Sequence, residues 1–375
     1  MNVVHIITGL NDGGAEAVLY RLCLSDKSCN HIVVSLMDEG KYGALLEKKD
    51  IKVYYLNMKP NRLSLGGLIK LYRIIRKIKP DVVQTWMYHA DLIGGIVSRL
   101  AGITNVVWGV RHTTLVKGES KRSTIIIAKM NAILSRFVPK KIIYCAEKSR
   151  EVQESIGFMR TKGVVVPNGY NISDFSPSDE DRISFHEELG IDDKVFLIGH
   201  VGRYDPQKDH KNLIEAIAKI KQQSKVFKVV LVGSNLDTAN KKLIDKIKEH
   251  NLINEFILLG RRTDIPVVMN GFDLFVLSSS SEGFPNVLAE AMACGTPCAT
   301  TDVGDAALIV GETGWIVAPK NPKSLADAII TALDEKHARS EKWNQRKKVC
   351  RNRIVDNFSI ETMVDAYKCI WFNLN

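Results

Sequence analysis

The sequence predicts an α/β protein made of two Rossmann-like, doubly wound parallel-sheet domains. Three observations lead there. The chain has 375 residues, more than one ordinary core accommodates. Short apolar runs rich in β-branched residues alternate with helix-patterned stretches almost throughout. The alternation occurs twice, in two series separated by a stretch without periodicity.

In the first series the expected strands are 3–8, 31–36, 52–56, 81–86, 105–110, 141–146 and 163–167. Helical segments lie between most of them. In 65–78 the apolar positions 65, 68, 69, 71, 74, 75 and 78 follow a period close to 3.6. The second series has strands at 195–201, 227–233, 256–260, 274–279, 297–301 and 315–318. Strands apolar on both faces, with a helix between each pair, mean parallel sheets covered on both sides. The stretch 167–181, rich in Pro, Gly, Asn, Ser and Asp, marks the domain boundary.

Apolar residues make up 45% of the chain and charged residues 25%, a globular profile. No run of about 18 apolar residues suggests a membrane span, and the first residues resemble a buried strand rather than a signal peptide. Seven cysteines, at 23, 29, 145, 294, 298, 350 and 369, include no CxxC pair. They suggest reduced thiols in a cytoplasmic protein, with no metal site. Residues 1–170 carry 26 Lys+Arg against 13 Asp+Glu, while the rest of the chain is slightly acidic. The first domain is therefore expected to meet something anionic, such as a membrane surface or a phosphorylated acceptor; the alternative is a merely solvated basic surface. Lys and Arg are not interleaved with aromatics, which argues against nucleic acid.

In open parallel sheets, ligands bind beyond the carboxyl ends of the strands. Three loops there carry suitable chemistry. Gly13 and Gly14 end a strand and open a helix, where backbone can approach a phosphate; a plain tight turn is the competing explanation. In GRYDPQKDH (202–210), Arg203 and Lys208 bracket a turn and together can neutralise a diphosphate. In SSSSEGFPNVLAEAMACGTPCAT (278–300), Glu282 precedes a helix and Glu290 lies within it. Asn286 is the expected N-cap, leaving the N–H groups of 284–288 free for a phosphate. Glu290 sits in an apolar stretch, where a carboxylate needs a partner such as sugar hydroxyls. His89, after another strand end, is a further candidate to line the site, and Arg111 is a candidate for the donor or an anionic acceptor.

Taken in order, GG (13–14), VVPNG (165–169), GRYDPQKDH (202–210), SEGFPNVLAEAMACGTP (281–297) and GETGWIVAP (311–319) resemble family 4 of the retaining glycosyltransferases, with its E-x7-E signature and GT-B fold. The resemblance covers nearly the whole chain. It implies two domains facing a cleft: residues 1–172 binding acceptor, joined by a returning C-terminal helix (358–375), and 173–357 binding the nucleotide sugar. A final helix confined to the second domain is the alternative. By the same resemblance Arg203 and Lys208 hold the donor diphosphate, Glu290 bonds the ribose and Glu282 reads the transferred sugar. The backbone of Gly283, Phe284, Pro285 and Asn286 meets sugar and phosphate, and Gly13 and Gly14 approach the β-phosphate. His112 falls where relatives carry an active-site histidine.

The activity implied by the resemblance is transfer of a hexose or N-acetylhexosamine, with retention, from a nucleoside-diphosphate sugar. The expected donor is a UDP-sugar and the acceptor a glycan or lipid-linked sugar of cell-surface polysaccharide or lipopolysaccharide synthesis. No cofactor is expected: two cations and a helix N-terminus supply the positive charge, and residues 302–305 lack DxD spacing. The stretch 117–141, basic with an apolar face, suggests a peripheral position at the inner face of the cell membrane. A sugar-nucleotide 2-epimerase and a nucleotide- or glycan-binding protein without activity are the competing classes.

Overall fold

Parallel strands buried on both faces require a layer of helices above and below, and each of the two sheets has both. The computed structural model describes residues 1–59, 64–111, 122–192, 194–223, 226–338 and 340–374. The chain divides into two units, Met1–Gly169 with Ile360–Asn375, and Tyr170–Ser359.

The first unit holds seven parallel strands: β1 (Asn2–Ile7), β2 (Asn30–Ser35), β3 (Lys52–Tyr55), β4 (Val82–Trp86), β5 (Val106–Val110), β6 (Lys141–Tyr144) and β7 (Gly163–Val165). Their order is β3-β2-β1-β4-β5-β6-β7. Side chains alternate across the pleat. Val4 and Ile6 of β1 join a core with helices 65–78, 88–100 and 122–134. Val3 and Ile7 face the opposite core, under helix 14–25 and the final helix Ile360–Phe372.

That final helix leaves the second unit and returns to the first, as the resemblance implies. Ile360, Met363, Val364, Tyr367 and Trp371 form its inward stripe, spaced at helical period. Each such burial is worth about 1.5–3 kcal/mol before the entropy of ordering. The Trp371 indole donates to Gln84 Oε1 at 3.2 Å, and the Tyr367 ring stacks on Trp86, centroids 5.9 Å apart.

The second unit holds six parallel strands: β8 (Phe196–Val201), β9 (Phe227–Val232), β10 (Phe256–Gly260), β11 (Leu274–Leu277), β12 (Cys298–Thr301) and β13 (Trp315–Val317). Their order is β10-β9-β8-β11-β12-β13. All six residues of β8 are buried, which is why it reads as one continuous apolar run. Where the chain enters and leaves this unit, Tyr170 N–H donates to Phe358 O at 2.9 Å and Tyr170 pairs with Ser359.

Both sheets have a topological switch point, where connections run outward in opposite directions. It lies between β1 and β4 in the first unit and between β8 and β11 in the second. No helix among the described residues is long and apolar enough to cross a membrane. The seven cysteines are all free thiols, and burial pushes Cys294 and Cys350 up to about 12.

Candidate functional site

The switch point of the second unit gathers three of the charged residues that the sequence suggests for the donor, Arg203, Lys208 and Glu282. Gly202–Tyr204 leave β8, and Tyr204 N–H bonds Ser234 O at 2.8 Å. Gly233, at φ +144°, lies so close to this loop that a Cβ there would overlap Gly202 O. A side chain at 233 would push the loop out of place.

Asp205 caps the short turn Pro206–Lys208 by accepting from Gln207 N–H at 3.0 Å. Its other oxygen accepts from Arg203 Nε at 3.0 Å. Partial burial opposes ionisation of Asp205, yet the Gln207 amide and Arg203 together hold its pKa below the usual value. Arg203 itself stays open, its side chain 68% exposed. Lys208 points inward to Glu282 Oε1, 2.6 Å away, in a pair whose side chains are 19% and 14% exposed.

The loop after β11 is bonded to the loop after β8 at several points. Ser278 Oγ donates to Lys208 O at 2.9 Å, and Ser280 N–H donates to Gln207 O at 2.8 Å. Ser279 Oγ donates to Glu282 Oε1 at 2.6 Å, so two donors fix this carboxylate. From the other side Asp305 N–H donates to Gly283 O at 2.9 Å. Gly304, at φ +56°, allows that approach, since a Cβ there would overlap the same carbonyl. The Glu282–Gly283 segment is thus held by loops from three adjacent strand ends.

Beneath Lys208 lie two buried histidines, rings 4.9 Å apart. Burial lowers His200 to about 4, the more so with Lys208 nearby. Burial, with the His200 ring and the Lys208 charge adding to it, lowers His210 to about 2. Both are neutral, so they add no charge that would repel Lys208.

Phe284, Leu288, Ala289 and Ala291 are buried, while Asn286 and Glu290 are half-buried. Two expectations need correction here. Asn286 does not cap the helix: the cap is Pro285, and Asn286 is the first helical residue. Its Oδ1 accepts the Tyr170 hydroxyl at 2.6 Å, a residue 116 positions away. Nor are the N–H groups of 284–288 all free: Pro285 has none, and Leu288 N–H is bonded to Pro285 O.

In the first unit, Gly13 and Gly14 lie at the carboxyl end of β1, with Gly13 as helix cap. The helix end already has an anion of its own. Glu16, three residues on, folds back so closely that a Cβ on Gly13 would overlap its Oε2. Burial raises the Glu16 pKa, with Asp12 adding to the effect. A phosphate approaching here must displace that side chain.

At the end of β4, Met87 takes φ +72°, ψ 155°, a conformation costing about 1–3 kcal/mol for a non-glycine residue. Its N–H and carbonyl are bonded to Gly109 O and Asp91 N–H, both at 2.9 Å. The turn sets half-buried His89, the second residue of helix 88–100, at the strand end; burial lowers its pKa. Arg111 is committed inside the unit. It donates to Asn168 Oδ1 at 2.7 Å and to the Tyr367 hydroxyl, and lies over the Trp86 ring at 4.6 Å. It joins the final helix to β4 and β5 rather than standing open for a ligand. His112 lies outside the described residues.

Among the described residues, His5, Cys23 and His31 are the one trio close enough to share a metal ion. Hydrogen bonds account for the imidazoles instead. The Trp86 indole donates to His5 Nδ1 at 3.2 Å, so His5 carries its proton on Nε2 and donates to His31 Nδ1 at 2.9 Å. His31 Nε2 then faces Asp26 Oδ2 at 3.2 Å, in a bent geometry. Burial raises the Cys23 thiol pKa far from a ligating thiolate.

Two doubly wound parallel sheets, the second with a cation–carboxylate pair at its switch point, have the architecture of the GT-B fold class. The chain matches the family model for glycosyl transferases group 1 over residues 181–349 and that for glycosyltransferase family 4 over residues 12–174. It belongs to the family 4 glycosyltransferases. The UDP-Gal:alpha-D-GlcNAc-diphosphoundecaprenol alpha-1,3-galactosyltransferase of Escherichia coli is 29% identical over 318 residues, covering 83% of this chain and 80% of the relative. The N-acetylgalactosamine-N,N'-diacetylbacillosaminyl-diphospho-undecaprenol 4-alpha-N-acetylgalactosaminyltransferase of Campylobacter jejuni is 25% identical, covering 91% of this chain and 92% of the relative. The Anabaena protein HepE, crystallised with UDP, shares the fold with a TM-score of 0.85 at 24% identity over 98% of both chains.

Proposed function

We propose that this glycosyltransferase moves a hexose or N-acetylhexosamine, with retention and without a metal ion, from a UDP-sugar to a lipid-linked or glycan acceptor. The product belongs to cell-surface polysaccharide or lipopolysaccharide synthesis. The observation that carries the proposal is the Lys208–Glu282 pair, 2.6 Å apart at the β8–β11 switch point, with exposed Arg203 on the same loop. Two relatives support the acceptor class, since both are named for acceptors on diphosphoundecaprenol. HepE structures with UDP and with UDP-glucose support the donor.

When the sugar leaves, negative charge grows on the departing phosphate. Arg203, Lys208 and the N-terminus of helix 286–293 oppose it, and fixed donors of this kind cost no reorganisation during the reaction. Glu282 reads sugar hydroxyls while holding the Lys208 ammonium in place. Glu290 bonds the ribose. Neither glutamate serves as a covalent nucleophile; attack comes on the face the phosphate leaves, with that phosphate taking the acceptor proton.

A thermal-shift series with UDP, GDP, ADP and their common sugars tests the donor site. A ligand that binds only the folded state at 100 times its Kd adds about 2.7 kcal/mol. UDP and at least one UDP-sugar are expected to raise the Tm of the wild type by a few degrees, and that of Glu290→Ala much less. No response to any nucleotide, or an equal response in the variant, contradicts the assignment.

A further inference from the structure

The helices that cover one face of the first sheet are apolar on their outer side as well. Surface helices of water-soluble proteins place charged residues there. In helix 122–134 and the turn after it, the buried positions are Ala128, Asn131, Ala132 and Ser135. The outward stripe is Ile126, Met130, Ile133 and Phe137, spaced four, three and four residues apart. Ile133 and Phe137 are 67% and 70% exposed. Helix 65–78 repeats the pattern with Leu65, Ile69 and Tyr72, and helix 88–100 ends on Leu100, 72% exposed.

These residues form one surface. A groove of about 450 Å³ brings together Ile69, Tyr72, Leu92, Ile96, Leu100 and Met130 from the three helices, and every side chain lining it is apolar or aromatic. Eight of the fifteen exposed large apolar side chains among the described residues lie on these helices or the adjoining turn. Single exposed apolar residues need no explanation, but a contiguous patch of this kind marks an interaction surface.

Its charge identifies the partner. Segments 64–80 and 122–141 each contain five Lys or Arg and no Asp or Glu. Exposed Lys70, Arg73, Arg76, Arg99, Lys129 and Arg136 surround the apolar stripes. Long cationic side chains that flank apolar ones suit a phospholipid interface, with the apolar groups among the acyl chains and the cations at the headgroups. We propose that this face, formed by helices 65–78, 88–100 and 122–134, seats the protein on an anionic phospholipid bilayer.

The placement would also serve the acceptor. The groove runs along helix 88–100 from Leu92 to Leu100, and the first turn of the same helix carries His89 on the switch-point edge of the sheet. A thirteen-residue helix is about 20 Å long. A lipid-linked sugar emerging from the bilayer thus meets the active edge within one helix length. This delivery of the acceptor rests on the lipid-linked substrate proposed for the enzyme; the bilayer contact itself does not.

The test is co-sedimentation of the full-length protein with vesicles of phosphatidylcholine alone or mixed in equal parts with phosphatidylglycerol. Two double variants are compared, Ile133→Ser/Phe137→Ser and Lys129→Glu/Arg136→Glu. All four side chains are exposed, and an unchanged Tm confirms that each variant folds. The wild type is expected to bind the anionic vesicles at low salt, weaken at high salt and ignore pure phosphatidylcholine. Each double variant is expected to bind about tenfold more weakly or worse. The proposal is overturned if the wild type does not bind, or if both variants bind as well as it does. It is equally overturned if the apolar variant merely abolishes a dimer, which would make a second copy the occupant. UDP stabilisation measured on the same samples separates this outcome from failure of the donor site.

Discussion

Lys208→Ala is expected to lower kcat/KM for sugar transfer by about 10²- to 10³-fold, the range seen when one preorganised donor is removed from a developing anion. Lys208 is suited to this role because it is already in position. It sits on a three-residue turn fixed by Asp205, and its ammonium is held by a carboxylate that Ser279 also holds. In the variant, Glu282 keeps its Ser279 bond and some exposure to water, so the stability cost stays near ~1–2 kcal/mol, below that of a fully buried broken pair. The loss should fall mainly on kcat, since the charge Lys208 opposes is largest in the transition state. Steady-state kinetics with saturating acceptor, alongside Kd for UDP, separate the two contributions. Activity within about threefold of wild type would remove Lys208 from the chemistry.

Asp91→Asn is expected to stabilise the first unit by about 2–4 kcal/mol above pH 8. Asp91 is fully buried in the first turn of helix 88–100. Burial raises its pKa to about 8, although the Thr85 hydroxyl at 2.5 Å, Gly109 N–H at 3.3 Å and the Arg111 charge all favour the ionised form. The folded protein therefore keeps a proton that the unfolded chain releases near its ordinary carboxylate pKa. Stability falls as pH rises through the window from about 4 to about 8, and is level above it. Four pKa units would amount to about 5 kcal/mol. The variant recovers less because its amide NH2 takes the place of an Oδ2 that has no partner. In Tm measurements from pH 5 to 9, the variant should gain on the wild type steadily with pH. A gap independent of pH, or a variant less stable throughout, would show that Asp91 is not held protonated by burial.

Much of the fold is legible in the sequence because parallel strands buried on both faces leave a strong signal. Each of the thirteen strands falls on one of the apolar runs, within two residues at either end. The final helix shows its inward stripe as a plain helical period. What pairs with what is less legible, because the pairing depends on long-range topology. Lys208 and Glu282 are 74 positions apart, and only the adjacency of β8 and β11 brings them together.

Local rules misread one helix start. Asparagine usually caps, but Pro285 precedes it here and takes the cap, and Tyr170 claims the Asn286 side chain. At Gly13 and Gly14, which the sequence suggests for a phosphate, the carboxylate of Glu16 three residues on lies against the helix end. Arg111 looks available in the sequence because its partners, Asn168 and Tyr367, are 57 and 256 residues away. In helix 122–134 nearly every apolar position looks alike, so periodicity does not say that Ile126, Met130 and Ile133 face outward.

The proposed transfer from a UDP-sugar at the switch point of the second unit can be read out in a single reaction. The protein is incubated, with EDTA present, with UDP-galactose or UDP-N-acetylglucosamine and a lipid-diphosphate-linked N-acetylglucosamine acceptor, and the product anomer is assigned by NMR. The expected result is UDP release that depends on acceptor, an α-linked product and near-complete loss of both in Lys208→Ala. UDP release without acceptor, a β-linked product, or full activity in the variant would refute the proposed transfer.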